Sequence, residues 1–220
     1  MKKQKKIYYD DAYYAWQKKA GEYGANQDTW MYKPYINKNS VVLDFGCGGG
    51  YILEKLICKE KYGVDINPVA RNEARRRGIK VFPTIKSLPQ DIKFDIIISH
   101  HTLEHVDNPF EMLKKLHQKI KPHGKLVLVV PIDDWRVQKK HDPKNVNQHL
   151  YTWTPLLLGN LFTIAGYKIL DLKILSFAWI PLSRYYFKYI PKPVYYFFSS
   201  IWSSLILSRQ IRIVATVYST

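Results

Sequence analysis

The sequence predicts an α/β protein in which helices cover both faces of a parallel sheet. From residue 41 onward, short apolar, β-branched runs alternate with helical stretches, a pattern that implies right-handed crossovers between parallel strands. A polar side chain also stands at the end of each of four runs: Asp44, Asp65, Thr84 and Ser99. Because ligands bind at the carboxyl ends of parallel strands, these positions predict a binding site.

The first five strands are predicted at runs rich in valine, isoleucine and leucine. They are residues 41–45, 62–66, 80–85, 94–99 and 125–130, and helical stretches near 50–58, 68–77 and 109–120 separate them. Upstream, the stretch from Asp10 to Ile36 is rich in tyrosine, tryptophan and lysine and shows no strand alternation. It predicts one or two helices that precede the core.

Two further strands are predicted near the C-terminus. Thr154 is a good helix N-cap and Pro155 suits the first helical position, so a helix is predicted from there to Ala165. Residues 167–175 and 210–218 then alternate as strands.

A glycine turn joins the first strand to the first helix. Gly46, Gly48 and Gly50 have the spacing G-x-G-x-G, and Asp65 ends the next strand. Such a turn lets the backbone approach a cofactor, and an acid at the next strand tip can accept hydrogen bonds from a ribose. The dinucleotide fingerprint fails because Tyr51 stands where its third glycine belongs, and no Gly-Lys-Ser/Thr follows to form a phosphate loop. The pattern therefore predicts a nucleoside cofactor without phosphates.

Four ordered blocks resemble the class I S-adenosylmethionine-dependent methyltransferases. Residues 44–50, D-F-G-C-G-G-G, resemble motif I of that family, and residues 63–66, G-V-D-I, resemble motif II. Residues 94–109 resemble the fourth strand and following loop of its small-molecule branch, and residues 121–131 resemble its fifth strand.

This resemblance implies a Rossmann-like, doubly wound, seven-stranded sheet, mostly parallel with an antiparallel last strand and with helices on both faces. It also divides the chain. Residues 1–40 would form an N-terminal helical lid, and residues 41–220 the methyltransferase domain, with an aromatic and basic insertion at 176–209.

The resemblance implies S-adenosylmethionine as the cofactor. Asp44 and the backbone amides from Gly46 to Gly50 are expected to hold its methionine end, and Asp65 its ribose. Thr84 stands where relatives often carry an acid near the adenine, which puts the adenine contact in question. The predicted cofactor contacts are Asp44, Gly46, Cys47, Gly48, Gly50, Asp65, Ile66, Thr84 and Ser99.

Methyl transfer from a sulfonium is an in-line displacement, so the protein mainly has to align the acceptor. A hydroxyl acceptor also benefits from a general base, worth roughly 10²- to 10⁴-fold in rate. The candidates are His101, Glu104, His105 and His149. We predict His101 or His105 as the catalytic base, because the loop after the fourth strand faces the methyl group in the resembled fold. The alternative for Glu104 and His105 is a structural role in that loop.

No metal site is predicted. The segment from His101 to His105 matches the inverted zinc-peptidase pattern H-x-x-E-H, which needs both histidines on one helix. This segment directly leaves a predicted strand and ends at a helix-start signal, residues 107–109, so a continuous ligand-bearing helix is not expected. The cysteines, Cys47 and Cys58, are poorly placed for zinc or a disulfide framework and are typical of a reducing compartment.

The formal net charge of +16 would attract nucleic acid, an acidic substrate or an anionic membrane surface. Solvated helix faces also explain most basic runs. No Asn/Asp-Pro-Pro-Tyr/Phe follows the fourth strand, and neither cysteine follows a proline, so amino methylation of nucleic acids and pyrimidine carbon-5 methylation are disfavoured. RNA methylation is the second hypothesis, with nucleic acid the less favoured partner.

The insertion at 176–209 mixes aromatic and aliphatic side chains with lysine, arginine and proline. Its longest uncharged stretch, Pro193 to Ser208, has 16 residues. That is fewer than the roughly 20 that span a bilayer, so peripheral contact with a membrane interface fits better. The alternative is a hydrophobic cap on the domain's own core or on a twin subunit in a homodimer.

Taken together, the sequence predicts a methyltransferase acting on a small-molecule or lipid-linked acceptor, with oxygen as the favoured atom. The basic start of the chain is followed by Tyr8 to Asp11, where a signal peptide needs an apolar stretch, so a cytoplasmic location is expected, with the inner face of the membrane as an extension of it. The alternative from another class is a non-catalytic protein of the cofactor-binding fold at the membrane surface.

Overall fold

A seven-stranded sheet forms the centre of the computed structural model, which describes residues 11–136, 138–143, 145 and 147–218. The strands are β1 Val41–Phe45, β2 Glu60–Val64, β3 Lys80–Phe82, β4 Phe94–His100, β5 Ile120–Ile132, β6 Tyr167–Leu175 and β7 Arg209–Val217. They lie side by side in the order β3-β2-β1-β4-β5-β7-β6.

The strand directions confirm the predicted sheet. The pairs β1–β2, β2–β3, β1–β4 and β4–β5 are parallel, whereas β7 runs antiparallel between β5 and β6. In β1, Asp44 lies opposite Gly63 of β2 and Ile98 of β4. The chain order reverses between β1 and β4, and ligands of such sheets bind in the crevice beyond the strand ends at that point.

Seven α-helices accompany the sheet in the described part of the chain. They are α1 Asp11–Asp28, α2 Tyr51–Glu54, α3 Pro68–Arg76, α4 Pro109–His117, α5 Pro155–Ile164, α6 Ser183–Tyr186 and α7 Lys192–Leu205. Three of them begin at a proline that follows a capping side chain. Asn67, Asn108 and Thr154 each accept a hydrogen bond from an amide of the first turn, at 2.9, 3.0 and 3.2 Å.

Some element boundaries differ from the predicted ones for local reasons. β3 ends at Phe82, earlier than predicted, because Pro83 has no amide hydrogen to donate to the sheet. The helix predicted near 50–58 is shorter, the single turn α2. β2 begins at Glu60, two residues earlier than predicted. β5 starts at Ile120 rather than 125, and it pairs there with β4 across an irregularity in register.

Both faces of the sheet are buried, as predicted. Alternate side chains of β1, β4 and β5 enter two separate clusters. The first cluster includes Leu113 of α4 and Phe162 of α5. The second includes Tyr32 of the N-terminal segment, Leu53 of α2 and Tyr195 of α7. The strands are therefore apolar on both sides, which is typical of parallel sheets covered by helices.

The N-terminal segment (11–36) packs against the aromatic insertion (176–209). Tyr23 and Trp179 meet edge to face with ring centroids 5.3 Å apart, and the Tyr23 hydroxyl is hydrogen-bonded to Ser183. The insertion thus covers the domain's own N-terminal helix. Part of the predicted lid, residues 1–10, lies outside the described residues, and a lid motion of this segment stays a prediction.

Candidate cofactor and acceptor site

The turn after β1 depends on glycine. Gly46 and Gly50 have φ values of +81° and +80°, which L side chains rarely adopt, and a Cβ on Gly46 would collide with Thr102. The amides of Gly46 and Cys47 donate to the carbonyl of Val64 at 2.8 and 3.1 Å. The turn is therefore fixed to the tip of β2.

Two further amides of this turn also have protein partners. The Gly48 amide donates to Asp65 Oδ2 at 2.8 Å, and the Gly50 amide donates to the Cys47 carbonyl at 2.8 Å. Because each amide has a single hydrogen to donate, these bonds shape the turn, and the contact of its amides with the methionine end stays a prediction. Gly49 also belongs to this turn, and it lines the cavity beside Asp44.

A cavity of about 420 Å³ opens beyond β1, β2 and β3, and we call it the strand-tip cavity. Its lining includes Gly46, Asp65, Ile66, Thr84, His101 and His105. The Asp65 carboxylate accepts hydrogen bonds from the amides of Gly48 and Asn67, each at 2.8 Å. These bonds fix its orientation, and its oxygens retain lone pairs for the hydroxyls of a ribose.

Two predicted contacts have local roles in the structure. Thr84 lines the strand-tip cavity, but its hydroxyl caps the short 3₁₀ helix Ile85–Ser87 by accepting from the Ser87 amide at 3.3 Å. Ser99 is fully buried and donates its hydroxyl to the Phe45 carbonyl at 2.9 Å. This side chain therefore joins β4 to the end of β1, and its contact with the cofactor stays a prediction.

A second cavity of about 280 Å³ adjoins the first across Gly46, and we call it the turn cavity. Asp44 and Cys47 line it, and both are buried. Asp44 Oδ1 has no hydrogen-bond partner among the described residues, and burial, followed by the nearby charge of Asp65, raises the pKa of Asp44 to about 8. A cation would stabilise the ionised carboxylate, so the ammonium group of S-adenosylmethionine fits this position.

The turn cavity holds a second buried acid that sequence analysis missed. Asp28 ends α1, and burial raises its pKa to about 7, although the Trp179 indole nitrogen donates to it at 3.4 Å. Asp28 Oδ2 lies 3.5 Å from His100 Nε2, and His100 Nδ1 lies 2.8 Å from the Tyr32 hydroxyl. In the sequence, the only sign of this role was that Asp28 is an acid within an aromatic segment. Its distance along the chain from β1 follows no known motif.

Three of the four candidate catalytic side chains gather beyond β4. Glu104 is fully buried, and its Oε1 lies 4.0 Å from both His105 Nε2 and His149 Nε2. His149 Nδ1 lies 2.7 Å from Asp133 Oδ2. Burial raises the pKa of Glu104 to about 8, and Asp133 raises the pKa of His149 against the effect of burial.

His101 lies apart from this cluster. Its Nε2 is 3.0 Å from Gln210 Oε1, and its ring stacks on His100 with centroids 4.4 Å apart. Desolvation by neighbouring groups lowers the pKa of His101, although the residue keeps exposed surface, and burial lowers the pKa of His105 to about 4. Both rings are therefore neutral at pH 7. The helix needed by the H-x-x-E-H pattern is not formed, because only a three-residue 3₁₀ helix, Leu103–His105, lies in this described segment.

A third cavity of about 480 Å³ lies beyond the histidines, and we call it the outer cavity. It shares Asp28, His101, His149 and Trp179 with the turn cavity. Gln210 of β7 also lines it. The aromatic insertion thus supplies a wall of this cavity, an arrangement that suits an acceptor pocket next to the cofactor.

The chain belongs to the methyltransferase domain family, whose model matches residues 22–172. The fold and the site described above are consistent with this family. The matched range contains the glycine turn, Asp65 and the histidine loop. S-adenosylmethionine is the cofactor of this family, and the buried acid Asp44 and the oriented carboxylate of Asp65 fit its two ends.

Sequence relatives include O-methyltransferases. The ubiquinone biosynthesis O-methyltransferase of Coxiella burnetii is 38% identical over 99 residues, covering 40% of this chain and 42% of that protein. The enzyme of the same name from Rickettsia canadensis is 27% identical over 154 residues, covering 60% of this chain and 64% of its own. The chain therefore matches less than two thirds of the length of these relatives.

Solved structures share the fold. A methyltransferase of Haloferax volcanii, in complex with the Trm112 methyltransferase activator, aligns with a TM-score of 0.67 at 16% identity over 96% of this chain and 99% of its own. A SAM-dependent methyltransferase from Archaeoglobus fulgidus gives 0.63 at 23% identity over 93% and 99%. Phosphoethanolamine N-methyltransferase 2 of Haemonchus contortus, in complex with S-adenosyl-L-methionine, gives 0.59 at 14% identity over 88% and 53%.

Proposed function

We propose that this protein transfers the methyl group of S-adenosylmethionine to a hydroxyl oxygen of a small, lipid-linked acceptor. The observation that carries the proposal is the continuity of the three cavities. The strand-tip cavity suits the nucleoside, the turn cavity suits the methionine end, and the outer cavity meets the turn cavity at His101 and His149. The names of the Coxiella and Rickettsia relatives support oxygen as the acceptor atom.

When bound, the cofactor supplies an activated methyl group, so the chain's own task is alignment and proton removal. His101 is the favoured base, because it lines both the turn cavity and the outer cavity. An Nε2–H that donates to Gln210 leaves His101 Nδ1 as the proton acceptor. Desolvation lowers the pKa of both the His101 and His105 rings, to about 4 for His105, and the two differ in position, since His105 does not line the outer cavity.

A transfer assay tests this function. Purified protein and methyl-labelled cofactor are incubated with a phenol carrying an isoprenoid tail, with the same phenol without the tail, and with cellular RNA. We expect label on the tailed phenol, with kcat/KM at least about tenfold above the untailed compound, since a buried tail adds apolar area. Label in nuclease-sensitive RNA alone, or no label on any hydroxyl, would overturn the proposal.

The base is tested with a conservative substitution. His101→Gln keeps a hydrogen-bonding side chain but removes the titrating group, so we expect kcat to fall by about 10²-fold, the usual range for a general base. The affinity for S-adenosylmethionine, measured by calorimetry, should change little. An unchanged kcat and an unchanged pH profile would remove His101 from the proton path.

A lipid-linked acceptor fits the exposed face of α7. Val194, Phe197, Phe198, Ile201 and Leu205 are spaced along one side of this helix, and all are at least 44% exposed. Basic residues precede them, and no helix in the described part of the chain is long and apolar enough to cross a bilayer. A face of this kind can rest in the headgroup region of a membrane. The cytoplasmic location expected from the sequence remains part of this proposal.

Vesicle flotation tests the membrane contact. The full chain should float with phosphatidylcholine vesicles that contain phosphatidylserine, and the triple variant Phe197→Ser, Phe198→Ser, Leu205→Ser should not. Ile57→Ser is the matched control, since Ile57 is 81% exposed on another part of the surface. If the triple variant floats as well as the full chain, the face does not bind lipid. A change from dimer to monomer in sedimentation, with flotation unaffected, would assign the face to a contact between subunits.

A further inference from the structure

The cluster of Glu104, His105 and His149 is a set of donor atoms that the proposed methyl transfer does not use. One ligand atom from each side chain lies within 4.8 Å of the other two. The three residues come from two separate segments, the 3₁₀ helix Leu103–His105 and the loop before α5. The Leu150 amide donates to the Glu104 carbonyl at 2.9 Å, which holds the two segments together.

The carboxylate of this cluster lacks the partners that a buried acid needs. Glu104 is 0% exposed, and neither Oε1 nor Oε2 has a hydrogen-bond partner among the described residues. An ionised carboxylate without a partner is unstable in such a place, so it must either hold a proton or meet a cation. The neighbouring nitrogens of His105 and His149, at 4.0 Å, are too distant for direct hydrogen bonds.

The orientation of His149 points to a cation. Its Nδ1 is 2.7 Å from Asp133 Oδ2, so the Nδ1–H donates to that carboxylate, and Nε2, at 4.0 Å from Glu104 Oε1, is the nitrogen available to an ion. Metal-binding histidines commonly have such a carboxylate on the second ring nitrogen, because it fixes the tautomer and raises the basicity of the ligand nitrogen.

Two imidazole nitrogens and one carboxylate also define the class of ion. Magnesium and calcium prefer all-oxygen sites, whereas two histidines and a carboxylate suit zinc, iron(II) or manganese(II) and leave coordination positions open. Zinc–nitrogen distances are about 2.0–2.1 Å, so the side chains must move inward by several tenths of an ångström around an ion. Rotamer adjustments of the two half-buried histidines allow that movement.

We propose that Glu104, His105 and His149 bind one divalent transition-metal ion at the boundary between the turn cavity and the outer cavity. His105 and His149 line the turn cavity, and His149 also lines the outer cavity, so an open coordination position faces the acceptor. The site differs from the H-x-x-E-H interpretation, because His149 replaces His101 as a ligand.

The proposed ion also has a role in the proposed methyl transfer. This catalytic role of the ion rests on the proposed function. A hydroxyl oxygen bound to the ion loses its proton more readily, and His101 is placed to take that proton. The resulting oxygen anion forms the new bond to the methyl carbon while the carbon–sulfur bond breaks, and that electron pair stays on sulfur. No oxidant or reductant is required.

Metal binding is tested on the full chain without any methyl acceptor. Protein stripped with EDTA is titrated with ZnCl₂ and with MnCl₂ by calorimetry, and cobalt(II) absorption reports the ligand geometry. We expect one equivalent to bind, and Glu104→Gln and His149→Gln to weaken binding at least about 30-fold, the scale of lost metal-site partners. His123→Asn is the control, since His123 is exposed and asparagine tolerates its φ of +64°.

The outcomes separate the two proposals. Absence of saturable binding, or equal binding by wild type and Glu104→Gln, overturns the metal site, and methyl transfer that persists in EDTA would then leave the proposed function intact. One bound equivalent without methyl transfer to any hydroxyl supports the site and rejects the function. If Glu104→Gln fails to fold, Asp133→Asn replaces it. A loss of about tenfold in metal affinity is then expected, because asparagine lacks the negative charge and can also donate to His149, so that it no longer selects one tautomer.

Discussion

The cofactor side and the acceptor side of the site are built in different ways. On the cofactor side, Asp44, Gly46 and Asp65 lie at the tips of neighbouring strands. Local hydrogen bonds hold them, such as that from the Gly48 amide to the Asp65 carboxylate at 2.8 Å. On the acceptor side, the walls come from segments far apart in the chain, such as α1 with Asp28 and the insertion with Trp179.

This difference has a physical cause. Parallel strands place their carboxyl ends at one edge of a sheet, so a strand pattern alone brings strand-tip residues together. Contacts such as that between Tyr23 and Trp179 depend on how two helical segments pack, which no short spacing in the sequence encodes. The strand-tip cavity should therefore tolerate damage to the insertion, whereas the turn and outer cavities, which both contain Asp28 and Trp179, should not.

The largest expected effect tests the cofactor side. Asp65→Ala should weaken S-adenosylmethionine binding about 100-fold, because hydrogen bonds to a charged group contribute roughly 1.5–3 kcal/mol. Isothermal calorimetry measures it, with Asp91→Ala as the control, since Asp91 is exposed. Equal affinities for wild type and Asp65→Ala would remove Asp65 from the site.

The second expected effect is a pH dependence from the buried acids. Burial raises the pKa of Asp44 to about 8, so the native state holds a proton that the unfolded chain has lost above about pH 4. The free energy of unfolding of the ligand-free protein should therefore fall with rising pH, by up to about 1.4 kcal/mol per pH unit for this group. Asp28, with a pKa of about 7, and Glu104, with one of about 8, act in the same direction.

Urea unfolding between about pH 7 and pH 8 measures this slope. Histidines of the unfolded chain, with pKa values of about 6.5, still bind some protons near pH 7, and their contribution cancels when wild type is compared with a variant of one acid. Asp44→Asn should have a smaller slope than wild type. Asp171→Asn should keep the wild-type slope, because the ion pair with Arg212 lowers the pKa of Asp171 and it is ionised in both states. Identical slopes for wild type and Asp44→Asn would contradict the prediction.

A third, smaller effect tests the acceptor side. Trp179→Ala removes the ring contact with Tyr23 and the hydrogen bond to Asp28, so amides of α1 should exchange about tenfold faster with deuterium. Amides of β1 and β2 should be unaffected. Trp135→Ala is the control, since Trp135 is 77% exposed. Equal acceleration in the strands would show that the two sides are not independent.

The smallest effect concerns Thr84. Because its hydroxyl caps the 3₁₀ helix Ile85–Ser87, Thr84→Ala should lower stability by about 0.5–1 kcal/mol. Binding of S-adenosylmethionine should stay within about twofold of wild type. A loss of affinity above about tenfold would mean that the hydroxyl contacts the adenine directly.

Much of the sheet was predictable because its signals are local. The bounds of β1 and β6 match the predicted ones, and the capped helix start at Thr154 is confirmed. Ser99 shows the limit of such reasoning. A strand-end position placed it near the site, but its hydroxyl bonds to the Phe45 carbonyl, since neighbouring strands also need polar ties.

The sequence by itself determined the sheet, the glycine turn and the acid at the tip of β2, because alternation, φ preference and strand ends act over a few residues. Only the tertiary structure decided which acids and histidines meet. Asp28 reaches the turn cavity through the packing of α1, and His149 reaches Glu104 through a loop more than forty residues away. Such contacts follow from the packing of whole segments, for which burial, and not spacing, selects the partners.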